Sequence, residues 1–324
     1  MSPATEQAAP RVVTLGEIML RLKSPGHERL FQSPALEATF GGGEANVAAS
    51  LAGLGLQARF VTALPHGPLG DGAIAELRRT GVETDHIIRR PGRVGIYFLE
   101  AGAAQRASSV IYDRDGAAIA LAGVGEFDFE RIFDGADWFH VSGITPALSE
   151  SAAAISEAAL RAARSAGVIT SIDLNFRAKL WNYGKTAPEV MRGLMERVDV
   201  AIGNEEDCQR SLGMDAPTDI ASGQLSQAAY ETLTLQVMEA FPGLNAVALT
   251  LRESRSADIN GWSACLRDAD GFYVGAHYDI LDIVDRVGSG DSFAAGLIYG
   301  RLAGMPAAEA LDFAIAASCL MHSI

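Results

Sequence analysis

Three cysteines, Cys208, Cys265 and Cys319, are too few and too far apart in 324 residues for a disulfide framework, and none pairs at zinc-site spacing. A reducing compartment, the cytoplasm, suits such a chain. No apolar run approaches the ~20 residues that span a bilayer. The first ten residues are polar and alanine-rich, without the basic start and apolar stretch of a signal peptide, and read as a flexible N-terminus. Positive charge is scarce: 26 Lys and Arg against 40 Asp and Glu leave a formal net charge of −14. Nucleic acid phosphates and anionic lipid are repelled by such a chain, so neither is an expected partner. An anionic substrate would need arginines to set a local positive site against this field. The six histidines are scattered without metal-ligand spacing, so no protein-held metal is read from them.

What is present is ordinary for a folded chain, at 48% hydrophobic and 20% charged. The length fits two domains or one large domain with an appendage. Short, mainly apolar runs at 12–15, 60–64, 138–141, 168–172, 200–202 and 246–251 read as strands covered on both faces. Helical patterns lie between and after them, at 150–166 (closed by Gly167), 227–240, 291–302 and 306–321. This alternation predicts an α/β fold with a doubly wound, mostly parallel sheet. Residues 94–100 and 108–112 break the rhythm: two strands with no room for a helix between them. With 18–23 and 38–40 they predict a small β lid, inserted at about 17–41 and 93–122 of a domain covering 11–324.

The strongest local signal is Asp285-Arg286-Val287-Gly288-Ser289-Gly290-Asp291, which follows an expected strand at 280–284 and opens a helix. Unpaired N–H groups at a helix start make an anion site, and the helix dipole adds to it. An aspartate aimed at the same place opposes phosphate binding alone. It makes sense if a substrate hydroxyl lies between Asp291 and a phosphoryl group, with the carboxylate accepting the proton. The bland alternative is a tight turn. A second run, Gly41-Gly42-Gly43-Glu44-Ala45-Asn46, opens a helix of small and apolar residues. Asn46 there is either a polyol contact or a structural cap.

Together the two runs resemble the two signatures of the PfkB, or ribokinase-like, carbohydrate kinases, in order, spacing and strand–loop–helix context, over roughly residues 12–321. That resemblance implies a ribokinase-like domain with a β lid, a sugar bound between them, and ATP with Mg²⁺ on the main domain. It implies Asp291 as the base, Gly288, Ser289 and Gly290 as the anion hole, and Gly42, Gly43 and Asn46 as sugar contacts. It places Asn175, Asn204, Asp207, Arg252, Gly288 and Gly290 beside the nucleotide. Asn204-Glu205-Glu206-Asp207 stands where the family has Asn-x-x-Glu, leaving Asp207 or Glu206 to fill the acidic role. A monovalent cation near Asp285 and Val287, and pairing of two copies through their lids, belong to the same implication.

Within the family, Gly16–Leu22, Gly95–Phe98, Ile111–Arg114 and Asp173–Arg177 are similar to the 2-keto-3-deoxygluconate kinase group, which makes a sugar acid the implied substrate. Tyr97, Tyr112, Arg114 and Arg177 are the residues that would touch it. Arg114 reads either as a solvated hairpin arginine or as a bidentate clamp on a carboxylate. The stretch 250–264 departs from the short glycine turn of most members. Two other readings stand beside this one: a fructokinase- or ribokinase-like enzyme for a neutral sugar, and a catalytically silent sugar-binding protein on the same fold.

Overall fold

The computed structural model describes residues 9–214, 227–254 and 259–323, so nearly all of the expected flexible N-terminus lies outside the described residues, as do 255–258 of the unusual stretch. In chain order the strands are β1 (Arg11–Leu15), β2 (Met19–Lys23), β3 (Glu37–Gly41), β4 (Gln57–Val61), β5 (Ala63–Leu64), β6 (Ile88–Arg89), β7 (Ile96–Glu100) and β8 (Ser109–Asp113). They continue with β9 (Trp138–Ser142), β10 (Ile169–Asp173), β11 (Val200–Gly203), β12 (Ala246–Ser254), β13 (Asn260–Asp268), β14 (Phe272–Val274) and β15 (Tyr278–Ile280).

The main sheet runs β14-β13-β12-β11-β10-β9-β1-β4, with β15 also on β13. From β4 to β12 every pairing is parallel, and the β13, β14 and β15 edge is antiparallel. Alternation of side chains across the pleat explains the apolar runs. Val13, Leu15, Val141 and Ile172 point into one core with the helices Glu150–Ser165, Ala187–Met195 and Gln227–Ala240, while Val12, Phe60, Val200 and Ile202 point into another with Gly43–Gly53, Ser289–Leu302 and Ala307–Met321. Each fully buried aliphatic or aromatic side chain contributes roughly 1.5–3 kcal/mol. The sheet is therefore doubly wound, as the run pattern predicts.

The lid is a separate sheet in the order β3-β2-β7-β8, and its strands fall where the four short runs put them. Three boundaries differ from expectation. The run at 60–64 is split between β4 and β5. The strand expected at 280–284 is not one: β15 ends at Ile280, Asp282 adopts φ 57°, and Leu281 and Val284 are exposed. The helix expected from 291 begins at Ser289.

Candidate active site

The carboxyl ends of β1, β9, β10 and β11 lead to Gly16, Gly143, Leu174 and Asn204, and the loops that follow build the site, where open α/β sheets place ligands. Two helices aim their N-termini at it. Gly43–Gly53 begins after Gly42, and Ser289–Leu302 begins after Gly288; neither has a side-chain cap, so the N–H groups of both first turns face the cleft. Gly288 is the hinge of the second start, at φ 95°, a conformation that glycine adopts without strain. The positive φ is thus at Gly288 and not at Gly290. A Cβ at Gly290 would meet no atom within 4 Å beyond its own helical turn, which leaves an open cradle at that helix end. Ser289 turns its hydroxyl back to the Arg286 carbonyl oxygen at 3.2 Å, so its backbone N–H is what it offers to the site.

Asp291 lies in the first turn of the second helix and beside the first. Its Oδ1 is 3.5 Å from the position of a Cβ on Gly43, so the glycine lets the two helix ends meet around the carboxylate. Asn46 Nδ2 donates to Asp291 Oδ2 at 2.7 Å. Asn46 thus joins the two helix starts: its Nδ2 holds the Asp291 carboxylate, and its Oδ1 accepts from the Gly42 N–H at 3.4 Å. Gly42 is likewise required by packing, because a Cβ there would overlap the Glu17 carbonyl oxygen where the lid leaves the main domain. Burial pushes the pKa of Asp291 up to about 6, against the lowering effects of the Asn46 hydrogen bond and the Arg177 charge. A base of this kind works in its ionised form, so kcat/KM should fall about tenfold per pH unit below about pH 6 and level off above it. A pH–rate profile without that limb would remove Asp291 as the titrating base.

Arg177 is exposed near the start of the loop after β10, and its charge acts on Asp173, Asp207 and Asp291 together. Asp173 is buried at the end of β10; burial, then the charges of Asp207 and Asp291, push its pKa well above the usual carboxylate range. Asn175 holds φ 36°, unusual for a residue with a side chain, and contacts Asp173 at 3.4 Å. Asn204 and Asp207 form a capping box: Asn204 Oδ1 accepts from the Asp207 N–H at 2.9 Å, and Asp207 Oδ2 accepts from the Asn204 N–H at 3.1 Å. Asp207 Oδ1 also accepts from the Phe176 N–H at 2.8 Å, whereas Glu206 is exposed. Asp207 thus staples the loop carrying Asn175 and Arg177 to the helix Glu205–Leu212, while Glu206 faces solvent. Arg252 stands apart from this cluster. It lies on β12 opposite Trp262, exposed, with Arg286 close enough for its like charge to add to desolvation in lowering the guanidinium's pKa.

The lid contributes differently from what the sequence suggests. Arg114 is neither solvated nor free: Nε donates to Glu17 Oε2 at 2.9 Å, Nη2 donates to the same oxygen, and the guanidinium lies 5.4 Å from the centre of the Tyr112 ring. Glu17 is buried, and burial raises its pKa while Arg114 lowers it. Tyr97 is buried with its hydroxyl toward Gly41, while Tyr112 is half-exposed. Asp285 is also committed, since Oδ1 accepts from the Val287 N–H at 2.9 Å and Oδ2 takes the Arg21 guanidinium. An arginine thus stands on the carboxylate implied for a monovalent cation. Glu17 and Arg21 were not singled out from the sequence. Their signal, visible in retrospect, is a charge inside the otherwise apolar start at 16–22.

The sequence profile of the pfkB family carbohydrate kinases matches residues 9–238 and 263–323. The chain belongs to that family. The kinase is 34% identical over 315 residues to the 2-dehydro-3-deoxygalactonokinase of Haloferax volcanii, covering 97% of this chain and 91% of that protein. It is similar to the crystal structure of 2-dehydro-3-deoxygluconokinase from Thermotoga maritima, with a TM-score of 0.92, 49% identity, and coverage of 97% and 94% of the two chains. The 2-dehydro-3-deoxygluconokinase of Bacillus subtilis is 27% identical over 302 residues, 93% of this chain and 86% of that one. The stretch between the two matched segments of the kinase, 239–262, overlaps the departure expected at 250–264.

Proposed function

We propose that this kinase transfers the terminal phosphoryl group of ATP to the terminal hydroxyl of a 2-keto-3-deoxy sugar acid, the gluconate or its C4 epimer, the galactonate. The observation that carries the chemistry is Asp291 set between two uncapped helix N-termini beside the open cradle at Gly290. Ionised Asp291 accepts the hydroxyl proton as the O–P bond forms and the bond to ADP breaks. The N–H groups of Ser289, Gly290 and Asp291 take the developing negative charge, and positioning supplies most of the rate because the transition state is loose. Arg286, in the loop leading to that cradle, and Arg252, whose guanidinium feels its charge, suit the donor's remaining phosphates. Mg²⁺, held mainly by the nucleotide, would neutralise charge on those phosphates during transfer. For assembly, Phe31 and Ile111 are exposed apolar residues of the lid and suit pairing with a second copy.

For the acid's carboxylate we assign Arg114, with Tyr112 beside it and Arg177 adding positive field from the main domain. Glu17 takes Nε and Nη2, leaving Nη1 outside that pair. A fructokinase-like enzyme for a neutral sugar is the second reading, and the commitment of Arg114 to Glu17 is what favours it. Arg114→Lys keeps a charge against buried Glu17 but loses the planar fork. It should raise KM for the acid by about 10- to 150-fold, the range of one charge-assisted contact, with kcat less affected and a neutral sugar such as fructose unaffected. Arg114→Ala alone would strand Glu17, so Arg114→Ala with Glu17→Gln, checked by thermal melting, is the control for folding. Equal losses on acid and neutral sugar would favour the second reading.

A further inference from the structure

One ion pair joins the lid directly to the loop that carries the base. Arg21 lies on β2, in the middle of a row that crosses all four lid strands: Thr39, Arg21, Tyr97 and Tyr112 are successive register partners. Residues directly opposite one another share a sheet face, so the row shows which lid face looks at the base loop. The environment of Tyr97 supports this placement: burial pushes its phenol up to about 12, Arg21 opposes that shift, and Asp285, Tyr112 and Asp291 add to it. From this face Arg21 reaches Asp285, 264 residues away, and the two side chains keep only 16% and 11% of their exposure. The other oxygen of Asp285 holds the Val287 N–H. Val287 adjoins Gly288, whose left-handed turn sets where the helix and its N–H groups begin. A lid position is thus connected, through one charge pair and one hydrogen bond, to the geometry of the anion cradle.

We propose that Arg21 is a positioning residue that couples lid closure to the cradle: its pairing with Asp285 sets the 285–288 turn for phosphoryl transfer only when the lid is down. The pair is weak while its members are solvated and strengthens as closure removes water from around them. Lid closure and an ordered cradle therefore favour one another, and each biases the other's population. The consequence is discrimination between acceptors, because ATP bound under an open lid meets a cradle not yet set for transfer to water. The proposal requires only that the chain is a sugar kinase. It stands whether the preferred sugar is an acid or neutral.

The test uses the full chain with its best sugar and follows three quantities: sugar phosphorylated, ATP hydrolysed, and thermal midpoint. Asp285→Asn keeps an oxygen for the Val287 N–H and removes only the charge. Arg21→Ala and Asp285→Asn should each lower sugar-dependent kcat by roughly tenfold, a typical size for coupling between two sites. Sugar KM should change much less, and ATP hydrolysed per sugar phosphorylated should rise. The double variant should be no worse than the poorer single one, since both remove the same pair. Arg21→Lys should restore most of the turnover. If Arg21→Ala proves too unstable to assay, Arg21→Gln carries the same comparison. Multiplying losses in the double variant would overturn the proposal. So would a rise in sugar KM at unchanged kcat on Arg21→Ala that Asp285→Asn does not reproduce, for Arg21 would then be a substrate contact.

Discussion

Asp291→Asn should lower kcat at least ~10²-fold, the lower range for a positioned acid–base group. The amide oxygen can still accept from Asn46 Nδ2, so the side chain keeps its orientation and loses only proton acceptance. Nucleotide affinity, read by calorimetry, should be largely retained. Stability should move the other way. The pKa of Asp291 is raised to about 6 in the folded chain, above the value near 3.9 of an unfolded one. Its contribution to stability is therefore present at low pH and lost as pH rises through about 6. At pH 8 the ionised carboxylate weighs against folding, so the asparagine variant should melt at the same temperature or higher. Near-normal turnover in that variant would remove Asp291 from the role of base.

Gly290→Val should abolish most activity in a protein that remains well folded. A Cβ at this position meets no atom within 4 Å beyond its own helical turn, so the added branch starts in open space. The position is in the first helical turn, where exchanging glycine for a β-branched residue changes stability by only about 0.5 kcal/mol. Helical Cβ atoms tilt toward the N-terminus, so the valine would project toward the cradle where the phosphoryl group must sit. A loss of kcat of ~10²-fold or more is expected, comparable to removing an oxyanion donor. Cooperative melting near the wild-type midpoint, together with lost turnover, separates an occupied cradle from a plain turn. Full turnover would make 288–291 a plain turn. The contrast with Gly42 is instructive, because a side chain there strikes the Glu17 carbonyl oxygen and should damage folding itself.

The sheet was readable because strands covered on both faces are mainly apolar, as β1, β9 and β11 are despite buried Thr14, His140 and Ser142, and because Gly167 ends its helix at φ 74°. The same rule misled at 280–284, where Leu281 and Val284 are apolar yet exposed. It also gave no sign of β13, where buried Asn260 and Ser263 interrupt the pattern and pairing with β12 decides the conformation. In the site, the glycine runs were legible because close backbone approach leaves a mark in composition. The partners of polar side chains were not. Asn46 meets Asp291 across 245 residues, Arg114 meets Glu17 across 97, and Arg21 meets Asp285 across 264. Such pairings follow from how the lid folds over the main sheet, which no local pattern records.

The most direct measurement is ADP release by the wild-type chain with Mg²⁺-ATP and a panel of 2-keto-3-deoxygluconate, 2-keto-3-deoxygalactonate, fructose and ribose, with the phosphorylated carbon located by NMR. The account predicts kcat/KM at least ~10-fold higher for a keto-deoxy acid than for either neutral sugar, the smallest margin that one charge-assisted contact implies, with phosphate on the terminal carbon. Preference for fructose or ribose, or no transfer to either acid, would contradict it.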